Sequence, residues 1–252
     1  PAKALPRPAV AQLLEAGRQH HRAGRLAQAE SLYRQALALQ PDSADALNLL
    51  AVLAQAAGDH ATALEWLRQA VAADARVAGI HFNMGISWRA LNRPAEAVQA
   101  YAAALRCNPR FAQAHYDLGR SLAELGRQAE AVASYQRALA IKPQFPEACN
   151  NLGIALVRQG RVADATAFFR KAVAIRADYA NAWSNLGFAL FNQARPDEAV
   201  LCYRRALAAR PGMAAALGNL QVSLLAQGNA EDALACSREP MRVESGDAWA
   251  CS

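Results

Sequence analysis

An amide side chain recurs every 34 residues along much of the chain, and its chemistry is hydrogen bonding rather than catalysis. An asparagine amide offers two donor hydrogens and one acceptor oxygen, so a row of them can bind the main chain of an extended peptide whatever its sequence. Asparagine is a modest helix former, so helix propensity does not explain its recurrence in segments with a helical pattern. The row comprises Asn83, Asp117, Asn151, Asn185 and Asn219.

Several further side chains are predicted to face the same groove as this row. Phe188 and Phe191 beside Asn192 would form an apolar pocket with a polar rim, which is the usual arrangement of a peptide anchor. Tyr116 and Arg158 would add selectivity for the ligand's side chains. Two alternatives stay open: the asparagines hydrogen-bond neighbouring repeats to each other, and one phenylalanine packs between repeats.

The 34-residue spacing also organises the apolar residues. Three similar stretches begin at Ala112, Pro146 and Ala180 with no insertion between them. Within each, apolar residues recur at helical spacing, and a glycine such as Gly126 separates two runs. Alanine occupies the twentieth position of all seven repeats: Ala29, Ala63, Ala97, Ala131, Ala165, Ala199 and Ala233. Glycine or alanine holds the eighth position in six repeats, and an aromatic residue or leucine holds the twenty-fourth.

This pattern predicts an all-α fold, a right-handed superhelical solenoid of about seven helix-turn-helix repeats, because one helix pair cannot bury its apolar face alone. We expect an extended lead-in at residues 1–9, one solenoid at 10–243, and a frayed tail at 244–252. Ser237 and Pro240 weaken the second helix of the last repeat. The repeats are 10–43, 44–77, 78–111, 112–145, 146–179, 180–213 and a partial 214–243.

These positions resemble the tetratricopeptide repeat (TPR) family over roughly Val10 to Ala235. The A-x-x-N-L-G phrases at Ala148–Gly153 and Ala182–Gly187 are most like the TPR arm of bacterial O-linked N-acetylglucosamine transferase-like proteins. In that family an asparagine ladder holds the substrate peptide. The resemblance implies the same role for the asparagines of the row, and Asp117 departs from it. Glu15 and Leu49 fill the position in the first two repeats.

Other functions find little support in the sequence. We find no catalytic constellation and expect no enzyme activity from this chain alone, no cofactor and no metal, because His81, His115 and Cys149 do not complete a ligand set. The formal charge of +6 is scattered rather than clustered, which argues against nucleic acid. No apolar run predicts a membrane span, and five cysteines without paired spacing favour a cytoplasmic protein.

The sequence therefore predicts a scaffold that binds a protein or peptide partner in an extended conformation. The alternative is the substrate-recognition arm of a larger protein O-glycosyltransferase whose catalytic domain is absent from this chain. Self-association through the terminal repeats is a third hypothesis.

Overall fold

The protein is all-α. A computed structural model describes the backbone of residues 7–238 and the side chains of residues 9–236, and this part of the chain forms fourteen α-helices and no strand. The first helices of the repeats are α1 Arg7–Arg22, α3 Ala44–Ala56, α5 Ala78–Ala90, α7 Ala112–Glu124, α9 Pro146–Arg158, α11 Ala180–Phe191 and α13 Ala214–Ala226. The second helices are α2 Leu26–Leu39, α4 His60–Ala73, α6 Pro94–Cys107, α8 Gln128–Ile141, α10 Val162–Ile175, α12 Pro196–Ala209 and α14 Ala230–Arg238.

The helices confirm the predicted all-α repeat fold, with one correction at the beginning. Helix α1 starts at Arg7, so residues 7–9 are helical and not part of an extended lead-in. The rest of the expected lead-in, Pro240 and the expected tail at 244–252 lie outside the described residues, as does the side chain of Ser237. Helix α14 continues to Arg238, where the description ends.

The helices belong to two compact units, Pro1–Arg127 and Gln128–Ser252. Inside each unit a first helix packs on the second helix of its own repeat, and that second helix packs on the first helix of the next repeat. Neighbouring first helices also touch directly, as α3 and α5 do in one unit and α9, α11 and α13 do in the other. The face of the first helices is therefore continuous across neighbouring repeats within a unit.

A residue with a left-handed backbone conformation lies in the turn between the two helices of each repeat. Gly24, Gly58, Gly126, Gly160 and Gly228 have positive φ angles of 72–80°. Asn92 and Ala194 take this place in the third and sixth repeats, each with φ 56°. Because a side chain at positive φ crowds the following carbonyl, alanine is the more strained of these two.

Close packing of a glycine against an aromatic ring sets the distance between the two helices of a repeat. A Cβ built on Gly187 would lie 2.8 Å from Cε1 of Tyr203, and one on Gly153 would lie 2.5 Å from Cε1 of Phe169. Gly17 and Gly85 stand equally close to Tyr33 and Tyr101. The alanines of the twentieth position are fully or almost fully buried. Small residues at the eighth and twentieth positions therefore make room for the aromatic residue.

Candidate peptide-binding surface

The sixth residue of each repeat, which we call the ladder position, lies on the first helix. Asn83 on α5 belongs to the first unit, and Asn151, Asn185 and Asn219 on α9, α11 and α13 belong to the second. All four asparagines are half-buried, whereas Asp117 on α7 is buried. The four asparagines thus keep part of their surface open to a ligand.

Two ladder asparagines hydrogen-bond the preceding repeat in the same way. Asn83 Nδ2 donates to Oδ1 of Asn48 at 2.8 Å, and Asn185 Nδ2 donates to Oδ1 of Asn150 at 2.8 Å. Asn150 in turn donates from Nδ2 to Oδ1 of Asn151 at 3.2 Å. These bonds fix how the amides are oriented, and they join neighbouring repeats. The predicted contact between repeats is therefore real for Asn83 and Asn185.

The 34-residue pattern did not predict that the acceptors Asn48 and Asn150 pair with the ladder asparagines. Each lies 35 residues before its partner, at the fifth position of the preceding repeat. An asparagine at that offset is the signal that identifies the pair. Asn219 has no such partner, because the residue 35 positions before it is Ser184. The side chain of Asn219 makes no hydrogen bond within residues 9–236.

Asp117 is held in a cluster of charged and amide groups. Its Oδ1 accepts from Nη1 of Arg89 at 3.3 Å and from Nη1 of Arg120 at 3.5 Å, and its Oδ2 accepts from Nε2 of Gln113 at 2.8 Å. The bond to Arg89 ties α5 to α7. Because Asp117 is buried and already accepts three hydrogen bonds, it offers little to a ligand. Burial raises the pKa of the Tyr101 hydroxyl beneath this cluster.

In the first unit, two side chains at the twelfth position of a repeat bond the first helix of the next repeat. Gln55 Nε2 donates to the backbone O of Asn83 at 2.7 Å and to Oγ of Ser87 at 2.8 Å. Arg89 holds the same position one repeat later and contacts Asp117. This linking role of Arg89 was not predicted from the sequence.

An apolar stripe occupies the ninth and twelfth positions of the second unit's first helices. We define it as Ile154, Val157, Phe188, Phe191, Val222 and Leu225. Phe188 is 43% exposed, Val222 is 53% exposed and Leu225 is 58% exposed, while the other three are half-buried. Asn192, at the edge of the stripe, is exposed and donates from Nδ2 to the backbone O of Phe188 at 2.8 Å. Neither Val157 nor Leu225 was predicted from the sequence.

The remaining predicted site residues differ in accessibility. Arg158, in the last turn of α9, is exposed. Tyr116 is buried, and the guanidinium carbon of Arg120 lies 5.7 Å from the centroid of its ring. Tyr116 therefore offers little surface to a ligand, and Arg158 offers much more.

The fourth position of the repeats has a packing role. His81 Nε2 donates to Ala75 O at 2.8 Å, His115 Nε2 donates to Pro109 O at 3.0 Å, and Trp183 Nε1 donates to Ala177 O at 2.7 Å. Each bond reaches back to the segment before the helix. No group of three or more metal-ligating side chains occurs within the described part of the chain.

The buried cysteines are unreactive in this environment. Burial raises the pKa of the Cys149 thiol, and it raises the pKa of Cys202 to about 11. Both groups are therefore protonated at neutral pH, and a thiol in that state is a poor nucleophile and a poor metal ligand.

Comparison with known proteins identifies the family. Four family models described as TPR repeat or tetratricopeptide repeat match residues 14–78, 100–133, 119–160 and 147–212. The chain therefore belongs to the tetratricopeptide repeat family. Proteins of this kind are typically interaction scaffolds, which use the surface built by stacked repeats to bind protein or peptide partners. No curated protein sequence gives a match.

Solved structures of other repeat proteins share the fold. PilW, described as a widely conserved type IV pilus biogenesis factor, has 24% identity and a TM-score of 0.70 over 85% of this chain and 98% of its own. The pilF protein of Pseudomonas aeruginosa has 22% identity and a TM-score of 0.74 over 83% and 95%. YrrB, a TPR protein with an unusual peptide-binding site, has 22% identity and a TM-score of 0.66 over 74% and 96%. At these identities the likeness concerns the fold alone. None of the helices described here has the length and hydrophobicity to cross a bilayer.

Proposed function

We propose that this protein is an interaction scaffold that binds an extended segment of a partner protein across its first helices, through the ladder asparagines Asn151, Asn185 and Asn219 of the second unit, with Asn83 as the equivalent residue of the first unit. The observation that carries the proposal is the repeated bond of Asn83 to Asn48 and of Asn185 to Asn150, both at 2.8 Å. This bond uses one N–H of Asn83 and one N–H of Asn185. The second N–H and the Oδ1 of these two half-buried side chains make no hydrogen bond within residues 9–236, and their orientation is already fixed, which lowers the entropy cost of binding.

The spacing of the repeats suits an extended ligand. Packed helices lie about 8–10 Å apart, and an extended strand advances about 3.3 Å per residue, so each repeat would meet about three residues of the ligand. Amides recurring at that interval can bond main-chain groups without reading the side chains between them. Asp117 is excluded from the proposed ladder, because its carboxylate oxygens are already occupied by Arg89, Arg120 and Gln113.

The A-x-x-N-L-G phrases of α9 and α11 favour a second candidate, the substrate-recognition arm of a protein O-glycosyltransferase. These phrases place Asn151 and Asn185 at the ladder position. The peptide-binding chemistry is the same in both candidates, and only the second requires a catalytic domain in the same open reading frame. The sequence of the complete reading frame separates the two.

Asn219 gives the cleanest test of the ladder. Its side chain makes no hydrogen bond within residues 9–236, so Asn219→Ala removes a proposed ligand contact without breaking a bond between repeats. We expect partners captured from a host-cell lysate to be recovered roughly fivefold less by Asn219→Ala, since one net hydrogen bond contributes about 1 kcal/mol.

The matched control is Gln136→Ala, at an exposed position on the second helix α8. It should capture the same partners as the unmodified protein, with circular dichroism used to confirm that both variants fold. Equal capture by Asn219→Ala and Gln136→Ala would show that the ladder does not bind the partner.

A further inference from the structure

Two first helices of the second unit carry no ionisable side chain. Helix α11 reads ANAWSNLGFALF and helix α13 reads AAALGNLQVSLLA, and neither contains Asp, Glu, Lys, Arg or His. Their neighbours α10 and α12 on the other layer carry several charges each. Absence of charge together with exposed apolar side chains is typical of the centre of a protein–protein interface rather than of a solvated surface.

The fold itself does not require an apolar residue at the twelfth position. In the first unit two of the four twelfth positions carry Gln55 and Arg89, which bond the next repeat, and the other two carry His21 and Ala123. In the second unit this position carries Val157, Phe191 and Leu225, which cannot make such bonds. At the twelfth position the stripe residues thus take the place of side chains that bond neighbouring repeats in the first unit. The stripe also leaves apolar surface exposed at Phe188, Val222 and Leu225.

Arg158 is an exposed cation on α9, the first helix of the repeat before the one that carries Phe188 and Phe191. It forms no ion pair with any residue in the described range. Several other arginines of this unit pair with acidic residues: Arg161 with Asp164, Arg170 and Arg195 with Glu198, and Arg204 with Asp232. An exposed, unpaired guanidinium beside an uncharged surface is complementary to a carboxylate on the partner.

We propose that the partner segment carries two large apolar side chains, which bind the stripe at α11 and α13, and an acidic residue that pairs with Arg158. This inference rests on the proposed function and specifies the ligand's chemistry. At about three residues per repeat, the acidic residue lies about three residues from the first apolar residue and about six from the second. The order of the three along the ligand depends on its direction across the helices.

The probe is a library of randomised twelve-residue peptides displayed on phage and selected against the full chain. Enriched sequences should contain an acidic residue and two large apolar residues at intervals of about three. Synthetic peptides of the enriched sequences are then titrated by fluorescence anisotropy. We expect Phe188→Ala to weaken binding at least tenfold, since a few large anchors dominate interface affinity. Val222→Ser should weaken binding about fivefold, since valine buries less apolar surface.

Two further variants make the test specific. Arg158→Glu should weaken binding at least fivefold, and a peptide whose acidic residue is replaced by lysine should recover binding to that variant. The matched control is Leu201→Ala on the second helix α12, where the leucine is 62% exposed, and it should leave affinity unchanged. Circular dichroism confirms the fold of each variant.

The outcomes distinguish this inference from the proposed function. Enriched peptides that lack the apolar pattern, or that bind Phe188→Ala as well as they bind the unmodified protein, overturn the inference. If those peptides still lose affinity for Asn219→Ala, the proposed ladder stands. Peptides with the pattern that bind Asn219→Ala undiminished support the stripe and overturn the ladder. A selection that enriches no peptide over an unrelated control protein overturns both.

Discussion

Asn185 donates a 2.8 Å hydrogen bond to Asn150 in the preceding repeat, and Asn83 reproduces this bond to Asn48 in the other unit. The same side chain thus contributes to stability and is proposed to contact the ligand. Its two roles can be separated because Asn219 holds the ladder position without such a bond.

The bond between Asn185 and Asn150 predicts a coupling energy. We expect Asn185→Ala and Asn150→Ala each to lower the free energy of unfolding by about 1 kcal/mol, and the double variant to lower it by less than the sum. Urea denaturation of the four proteins gives the coupling directly. Asn219→Ala should change the free energy of unfolding by less than about 0.5 kcal/mol. A strictly additive double variant would show that the two amides do not interact.

The bonds of Asp117 to Arg89 and Arg120 predict that an asparagine at this ladder position destabilises the fourth repeat. Asp117→Asn leaves Arg89 and Arg120 without their shared carboxylate, and Arg89 retains only Glu124 at 3.6 Å. We expect a loss of about 2–3 kcal/mol in the free energy of unfolding, measured by urea denaturation.

An exposed ion pair provides the comparison for Asp117. Asp164 and Arg161 pair with 52% of each side chain exposed. Asp164→Asn should change stability by less than about 1 kcal/mol, because solvent screens this pair. Equal effects of the two substitutions would contradict a structural role for the Asp117 cluster.

The contact between Gly153 and Phe169 predicts that a single methyl group is costly. A Cβ at Gly153 would lie 2.5 Å from Cε1 of a ring that is only 1% exposed, so the ring or the helix must move. Gly153→Ala should lower the melting temperature and cost about 1–3 kcal/mol. Gly218→Ala, where no atom lies within 4 Å, should stabilise the protein by up to about 1 kcal/mol. A neutral Gly153→Ala would mean that the helix pair is loosely packed.

The left-handed backbone at Ala194 predicts a stabilising substitution. Relief of strain at φ 56° is worth about 1–2 kcal/mol, and the added freedom of glycine in the unfolded chain offsets about 0.5–1 kcal/mol of that. Ala194→Gly should therefore raise the free energy of unfolding by about 0.5–1 kcal/mol. Ala57→Gly, in the turn of the second repeat at an ordinary φ of −82°, should lower it by about the same amount. Differential scanning calorimetry of the two variants tests the opposite signs.

Repetition made most of the fold predictable. Each position is sampled up to seven times, so small residues at the eighth and twentieth positions, glycine in the turn and proline after the second helix together identify the helix pairs. The buried alanines and the glycine–aromatic contacts confirm that reasoning. The start of α1 at Arg7 was missed because three prolines in the first eight residues suggested extended chain.

The candidate site was less predictable, because a periodic pattern reports the average burial of a position and not its hydrogen-bond partner. The pairing of Asn185 with Asn150 depends on an asparagine that only some repeats carry. Asp117 is a conservative replacement in shape, yet two guanidinium groups bury it and remove it from the accessible row. The peptide-binding role of the other ladder residues stays a prediction.

The second repeat solves the packing between its helices with a different pair, Ala51 and Leu67, and both are fully buried. A larger residue at the eighth position is thus accompanied by a smaller one at the twenty-fourth. Two substitutions convert a glycine–aromatic pair into an alanine–leucine pair. If Gly153→Ala comes first, the intermediate contains a clash, and if Phe169→Leu comes first, it contains a cavity. The two positions are therefore expected to evolve together, and recombination of whole repeats avoids the destabilised intermediate altogether.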